Sequence, residues 1–124
     1  MSPRSDELLT SARSWLARAE DSLGSGFPAG PVADAYFAML YAARAALSEE
    51  GRNAKTHRGT WTLFGELFVS NGRFDRDLYR RARVAEERRV GAHYEGTLAS
   101  EVEARTAVED AHRFIEGVEG MLGS

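Results

Sequence analysis

The sequence contains no cysteine, which excludes disulfides and thiolate zinc sites and removes any need for an oxidising compartment. Its three histidines, at positions 57, 93 and 112, have no metal-ligand spacing among themselves or with the carboxylates. No metal and no cofactor is therefore expected. No apolar run approaches the roughly 20 residues that span a bilayer. The opening segment Met1-Ser-Pro-Arg-Ser-Asp-Glu has no apolar stretch of signal-peptide type. The expectation is a cytoplasmic protein without membrane contact. A P-loop and a Gly-rich dinucleotide fingerprint are missing, as is any local motif for Ser-His-Asp catalysis. There is no strand-period segment, no repeat at a fixed period and no low-complexity tract.

What the chain does contain is apolar residues at helical spacing. Its 124 residues make one domain, 1–124. The first helix is expected over about residues 3–23, with Ser2 as N-cap and Pro3 at the first position, where its missing N–H costs nothing. Leu8, Ala12, Trp15, Leu16, Ala19 and Leu23 form its apolar stripe. Glycines and prolines over residues 24–31 break it. The second helix, from near Pro31 to near Gly51, carries Val32, Tyr36, Met39, Leu40, Ala43 and Leu47 on one stripe. Phe37, Tyr41 and many alanines extend its apolar character most of the way round. Such a helix is central, packed by neighbours or by a second subunit. Left to one chain, part of that surface would be exposed, so a homodimer is expected. Core packing is the first reading of its Tyr and Met residues, and a pocket lining is the second.

A third helix is expected over about residues 58–70, capped by Thr56, with Trp61, Phe64, Leu67 and Phe68 inward. His57 stands at its start, where the positive end of the helix dipole disfavours protonation and favours anions nearby. Asn71-Gly-Arg-Phe reads as a turn, and Asp75 caps a fourth helix with Leu78, Ala82 and Ala85 on its buried side. Residues 96–99 form a second break. Ser100-Glu-Val-Glu103 then matches a capping box and opens a fifth helix, with Ala104, Ala107, Val108, Ala111, Ile115, Val118 and Leu122 as its stripe. The fold class is all-α, an up-and-down bundle of about five helices.

The net charge of −3 argues mildly against a nonspecific nucleic-acid binder. Its distribution is uneven. Residues 73–89 hold seven arginines and four acids, whereas residues 95–119 hold two arginines and seven acids. These are either complementary solvated faces of neighbouring helices or the footprint of a phosphate-bearing partner. The Arg-rich segment runs into Glu87-Arg-Arg-Val-Gly-Ala-His-Tyr94, where arginine, histidine and phenol can bind phosphate and move protons near neutral pH. Arg89 and His93 lie four apart and share a helix face. Arg88 and His93 lie about 140° apart around the axis and converge only if the helix ends or distorts, which Gly91 permits. An Arg–His pair suits RNA cleavage without metal. The histidine exchanges a proton with the 2′-hydroxyl or the leaving oxygen, and the guanidinium steadies charge on the phosphoryl oxygens. A second subunit across a two-fold axis would supply the other half of the acid–base pair. The competing reading pairs Arg88 and Arg89 with Glu86, Glu87 or the fifth helix and leaves His93 and Tyr94 as packing residues.

The segment Ala35-Tyr-Phe-Ala-Met-Leu-Tyr-Ala-Ala-Arg-Ala-Ala-Leu47 resembles the second-helix signature of the HEPN domain family. So does the ordered series that follows it: Lys55-Thr-His-Arg-Gly59, Leu63-Phe64 with Phe68-Val69 and Gly72, Arg89 to Tyr94, then Ala107, Ala111 and Phe114. The resemblance implies a bundle of four to five helices, usually dimeric, and in many members a metal-independent ribonuclease with an Arg, four to six intervening residues and a His. Arg88 and His93 fit that spacing, so the pair is the expected catalytic centre of an endoribonuclease. Arg89, Tyr94, His57 and Arg44 are the supporting or nucleotide- or RNA-binding residues. Many bacterial members are paired with a minimal nucleotidyltransferase as toxin and antitoxin, which implies such a partner here, with RNA or a nucleotide as ligand. Tyr94 follows His93 directly, whereas one residue separates them in the subgroup whose tyrosine is adenylylated. A second alignment, with small stand-alone members carrying Arg, three residues and Asp-Tyr, puts Arg89 at the arginine position. It implies a non-catalytic nucleotide-binding or partner-docking module.

Overall fold

The protein was analysed as a computed structural model, which describes the backbone of residues 1–94 and 99–123 and the side chains of residues 1–89 and 99–123. Five α-helices follow one another: α1 (Pro3–Ser22), α2 (Ala29–Glu49), α3 (His57–Phe64), α4 (Arg76–Tyr94) and α5 (Glu101–Gly123), with a π-helical turn (Gly65–Val69) continuing α3. No strand occurs among the described residues.

The helix starts follow from local chemistry. Ser2 Oγ accepts from the Ser5 amide at 3.1 Å, Thr56 Oγ1 from Gly59 at 2.9 Å, and Asp75 Oδ1 from Leu78 at 2.9 Å. Ser100 and Glu103 form a reciprocal capping box, each side chain accepting from the other's amide. Each cap satisfies an amide that the helix itself leaves unpaired. α2 begins two residues before Pro31, at Ala29, because a proline in the first turn gives up only an N–H that has no helical partner. It ends in a Schellman arrangement. Arg52 N donates to Leu47 O at 2.8 Å and Gly51 N to Ser48 O at 2.9 Å, with Gly51 at φ +69°, a conformation that suits glycine.

The expected single third helix is interrupted at Gly65. There the Ser70 amide reaches back five residues to Gly65 O, the spacing of a π turn. Tyr79 of α4 explains why glycine stands at this point. Its hydroxyl donates to Trp61 O at 3.0 Å, and a Cβ on Gly65 would meet Tyr79 Oη at 2.8 Å. Of the break expected over residues 96–99, Ala99 is outside any helix and residues 96–98 lie outside the described residues.

α2 is the axis of the bundle, wrapped by α1, α5, α4 and α3. Val32, Tyr36, Met39, Leu40 and Leu47 are buried, as are all its inward alanines. Helices of the same chain thus cover most of the apolar surface of α2 and leave Phe37 and Tyr41 half-buried, so this helix alone no longer requires a second copy. The lower core is aromatic. Trp61, Phe64 and Phe114 have no exposed surface, and Phe114 lies 4.7 Å from Phe74 and 5.8 Å from Trp61 between ring centroids. Among the described residues no helix is long and apolar enough to cross a membrane.

Candidate functional site

The polar groups of the core gather around one hydroxyl. Tyr36 sits near the middle of α2 with no exposed surface, so its O–H must find partners inside the protein. It accepts from Trp61 Nε1 of α3 at 3.1 Å and donates to Glu86 Oε2 of α4 at 3.1 Å. Its third contact is His57 Nδ1, at 3.2 Å. Burial, above all, pushes the Tyr36 hydroxyl up to about 12, offset in part by the bond from Trp61, so it stays protonated. Three helices are thereby joined through one oxygen.

Arg89 and His57 flank the same pair of rings. The Arg89 guanidinium lies 5.0 Å from the Tyr36 ring centroid and 5.4 Å from that of Phe37. The His57 ring lies 5.7 Å and 6.0 Å from the same two rings. Flat cations stack well on aromatic faces. Arg89 Nε is nevertheless buried with no hydrogen-bond partner among the described residues, an uncommon state for a charged donor. On the other side Arg44 of α2 reaches Thr60 Oγ1 at 3.5 Å and stacks 5.7 Å from the Tyr41 ring centroid. Beyond Arg44 is an open cavity of 290 Å³ whose lining also includes Arg4, Arg52, Ser48 and Asn53. Burial first, then the charges of Arg44 and Arg89, hold His57 below the ordinary imidazole range against a smaller opposing effect of Glu86.

The sequence-predicted residues divide between two places. His57 and Arg89 come together around Tyr36, while Arg44 reaches this group as a charge acting on His57. Arg88 points elsewhere, its Nε 3.1 Å from Glu103 Oε2 at the start of α5. α4 remains helical through Gly91 to Tyr94, so the distortion that would swing His93 towards Arg88 is not made, and by helical register His93 stays on the Arg89 face. The side chains of His93 and Tyr94 lie outside those described. Among the described residues no group of three His, Asp or Glu gathers as a metal site.

The charge contrast between α4 and α5 has a partly internal explanation. Arg81 pairs with Asp77 at 3.0 Å and with the buried Asp110 of α5 at 3.3 Å, while Arg83 approaches Glu86 at 3.6 Å. Arg76, Arg80 and Arg89 have no carboxylate partner among the described residues. Sequence reasoning named Tyr36 only as a core or pocket residue and Glu86 only as an ion-pair partner of the arginines, and missed the hydrogen bond that joins them. The available signal was a phenol on an otherwise apolar helix, which needs a buried partner.

Comparison with known proteins agrees with this architecture. The sequence model of the HEPN domain matches residues 5–121. The UPF0332 protein glr0978 of Gloeobacter violaceus is 29% identical over 118 residues, 94% of each chain. A candidate toxin of Methanocaldococcus jannaschii, MJ0605, is 30% identical over 91 residues, 73% of this chain and 68% of that protein. The crystal structure of TT1696 from Thermus thermophilus superposes with a TM-score of 0.80 at 24% identity, over 98% of this chain and all of that one. At that identity the last similarity speaks for the fold alone.

Proposed function

Since the chain belongs to the HEPN domain family, we propose that it is a toxin–antitoxin component with metal-independent endoribonuclease activity. The observation that carries the reading is Arg89: a guanidinium fixed on two rings, without a carboxylate partner among the described residues, one helical turn before His93 on the same face of α4. Such a cation suits a phosphodiester, and His93, one helical turn on, is the residue we assign to exchange a proton with the 2′-hydroxyl or the leaving oxygen. Arg88 and His93 remain the proposed catalytic pair. On a straight helix the two stand about 140° apart, so the pair assembles from two copies of α4 across a two-fold axis, in a homodimer. The toxin name of the archaeal relative supports the reading, and so do Arg76 and Arg80 on the same helix, which have no carboxylate partner among the described residues.

The proposal is decided by incubating the purified protein with RNA in EDTA. Cleavage that is lost in His93→Ala and in Arg88→Ala supports it. Absence of cleavage, or cleavage undiminished in His93→Ala, refutes it. One observation favours a second reading: Arg88 is engaged by Glu103. In that reading the chain is a non-catalytic nucleotide-binding or docking module for a minimal nucleotidyltransferase. It predicts a stoichiometric complex with the partner that survives His93→Ala, and failure to co-purify counts against it.

A further inference from the structure

The hydrogen bonds around Tyr36 determine where the proton of His57 sits. Tyr36 has one hydroxyl proton, and Glu86 as a carboxylate can only accept. That proton therefore goes to Glu86 Oε2, 3.1 Å away. Trp61 Nε1 can only donate, and it does so to the phenolic oxygen at 3.1 Å. The remaining contact, between Tyr36 Oη and His57 Nδ1 at 3.2 Å, has an oxygen with no second proton to give. Nδ1 must carry the hydrogen. In the neutral ring the lone pair is then on Nε2, which has no hydrogen-bond partner among the described residues. His57 is half-buried at the first position of α3, with Arg44 of α2 and Arg89 of α4 acting on it as cations and Glu86 of α4 as the one opposing charge.

We infer that His57 is a second proton-transferring residue of the site, its Nε2 accepting the proton of a ribose 2′-hydroxyl, with Tyr36 and Glu86 as the positioning residues that fix its tautomer. The inference rests on the ribonuclease reading and supplies what one histidine lacks, the other half of an acid–base pair. In the step, the 2′-oxygen forms a bond to the adjacent phosphorus as its proton passes to Nε2. The bond from phosphorus to the 5′-oxygen breaks, and the leaving oxygen takes a proton from the imidazolium of His93. The products are a 2′,3′-cyclic phosphate and a 5′-hydroxyl, and both histidines return to their starting states by exchange with water. Arg44 and Arg89, whose charges both act on the imidazole, match an anionic phosphodiester and keep the ring neutral, as a proton acceptor needs.

The test is cleavage of a mixed-sequence RNA oligonucleotide in EDTA between pH 4.5 and 9, by wild type, His57→Gln and Tyr36→Phe, with ¹⁵N spectra of the wild-type histidines. Loss of a general base lowers the rate by about 10²- to 10⁴-fold, so His57→Gln should fall in that range and lose the acid limb of the pH profile. Tyr36→Phe should fall by about tenfold or more, because the ring is no longer held in one tautomer. The spectra should show His57 protonated on Nδ1 at pH 7. Wild-type rate and acid limb in a folded His57→Gln overturn the inference and leave the ribonuclease reading standing. A His57 protonated on Nε2 at pH 7 overturns it independently of any variant. Wild-type protein inactive on RNA overturns both.

Discussion

Replacing Tyr36 by phenylalanine isolates the hydroxyl on which the core network turns. The ring, its burial and the stacked Arg89 are retained, and only the O–H is removed. The side chain has no exposed surface, and its oxygen serves Trp61, His57 and Glu86 at 3.1–3.2 Å. Trp61 is equally buried, so its Nε1–H loses its one partner and water cannot replace it, a cost of about 1–3 kcal/mol. Glu86 and His57 are only half-buried and recover part of their hydration, adding up to about 1 kcal/mol. The middle of the combined range, about 2–3 kcal/mol, is a large share of the roughly 5–15 kcal/mol that holds a domain together. For a chain of this length it corresponds to a fall in Tm of roughly 6–15 °C. Urea unfolding followed by tryptophan fluorescence measures it, and an unchanged m-value confirms that stability alone has moved. A loss below about 0.5 kcal/mol, within the range of an ordinary surface change, would refute the assignment of the hydroxyl as the junction of three helices.

Other consequences are equally direct. Because His57 is held below its ordinary range, chiefly by burial and then by Arg44 and Arg89, the unfolded chain takes up its proton first. Stability should therefore decline as pH falls below about 6.5, and unfolding curves of His57→Gln across that range should lack this component. Gly65→Ala puts a methyl against Tyr79 Oη and should cost about 1–3 kcal/mol; chemical denaturation should show the cost shrinking in a Tyr79→Phe background. Phe114→Ala removes a fully buried ring packed on Trp61, Phe64 and Phe74, with an expected loss of about 3–5 kcal/mol by calorimetry or urea titration.

The sequence was most informative where structure is local. Ser2, Thr56, Asp75 and Ser100 cap their helices as read, because each cap involves only the next turn. The stripes of α1, α2 and α5 face the core, since helical spacing alone decides which residues share a face. The π turn was hidden because its cause, the Tyr79 hydroxyl at Gly65, comes from α4. The Tyr36 junction was hidden for the same reason: its partners stand on α3 and α4, and no spacing within α2 announces them. The apolar girth of α2 was legible, but what covers it was not. α1 and α5 do so, so the case for a dimer now rests on the assembly of Arg88 with His93 and not on exposed surface. Arg89 was visible as a phosphate-binding residue, whereas its place over two rings beside His57 became apparent only with three helices in position.

The most direct measurement is the single-turnover rate of RNA cleavage in EDTA by wild type and His93→Ala, assayed side by side. The account predicts cleavage by the wild type without metal and a fall of about 10²- to 10⁴-fold in the variant. RNA left intact by the wild type, or cleaved equally fast by both proteins, would contradict it.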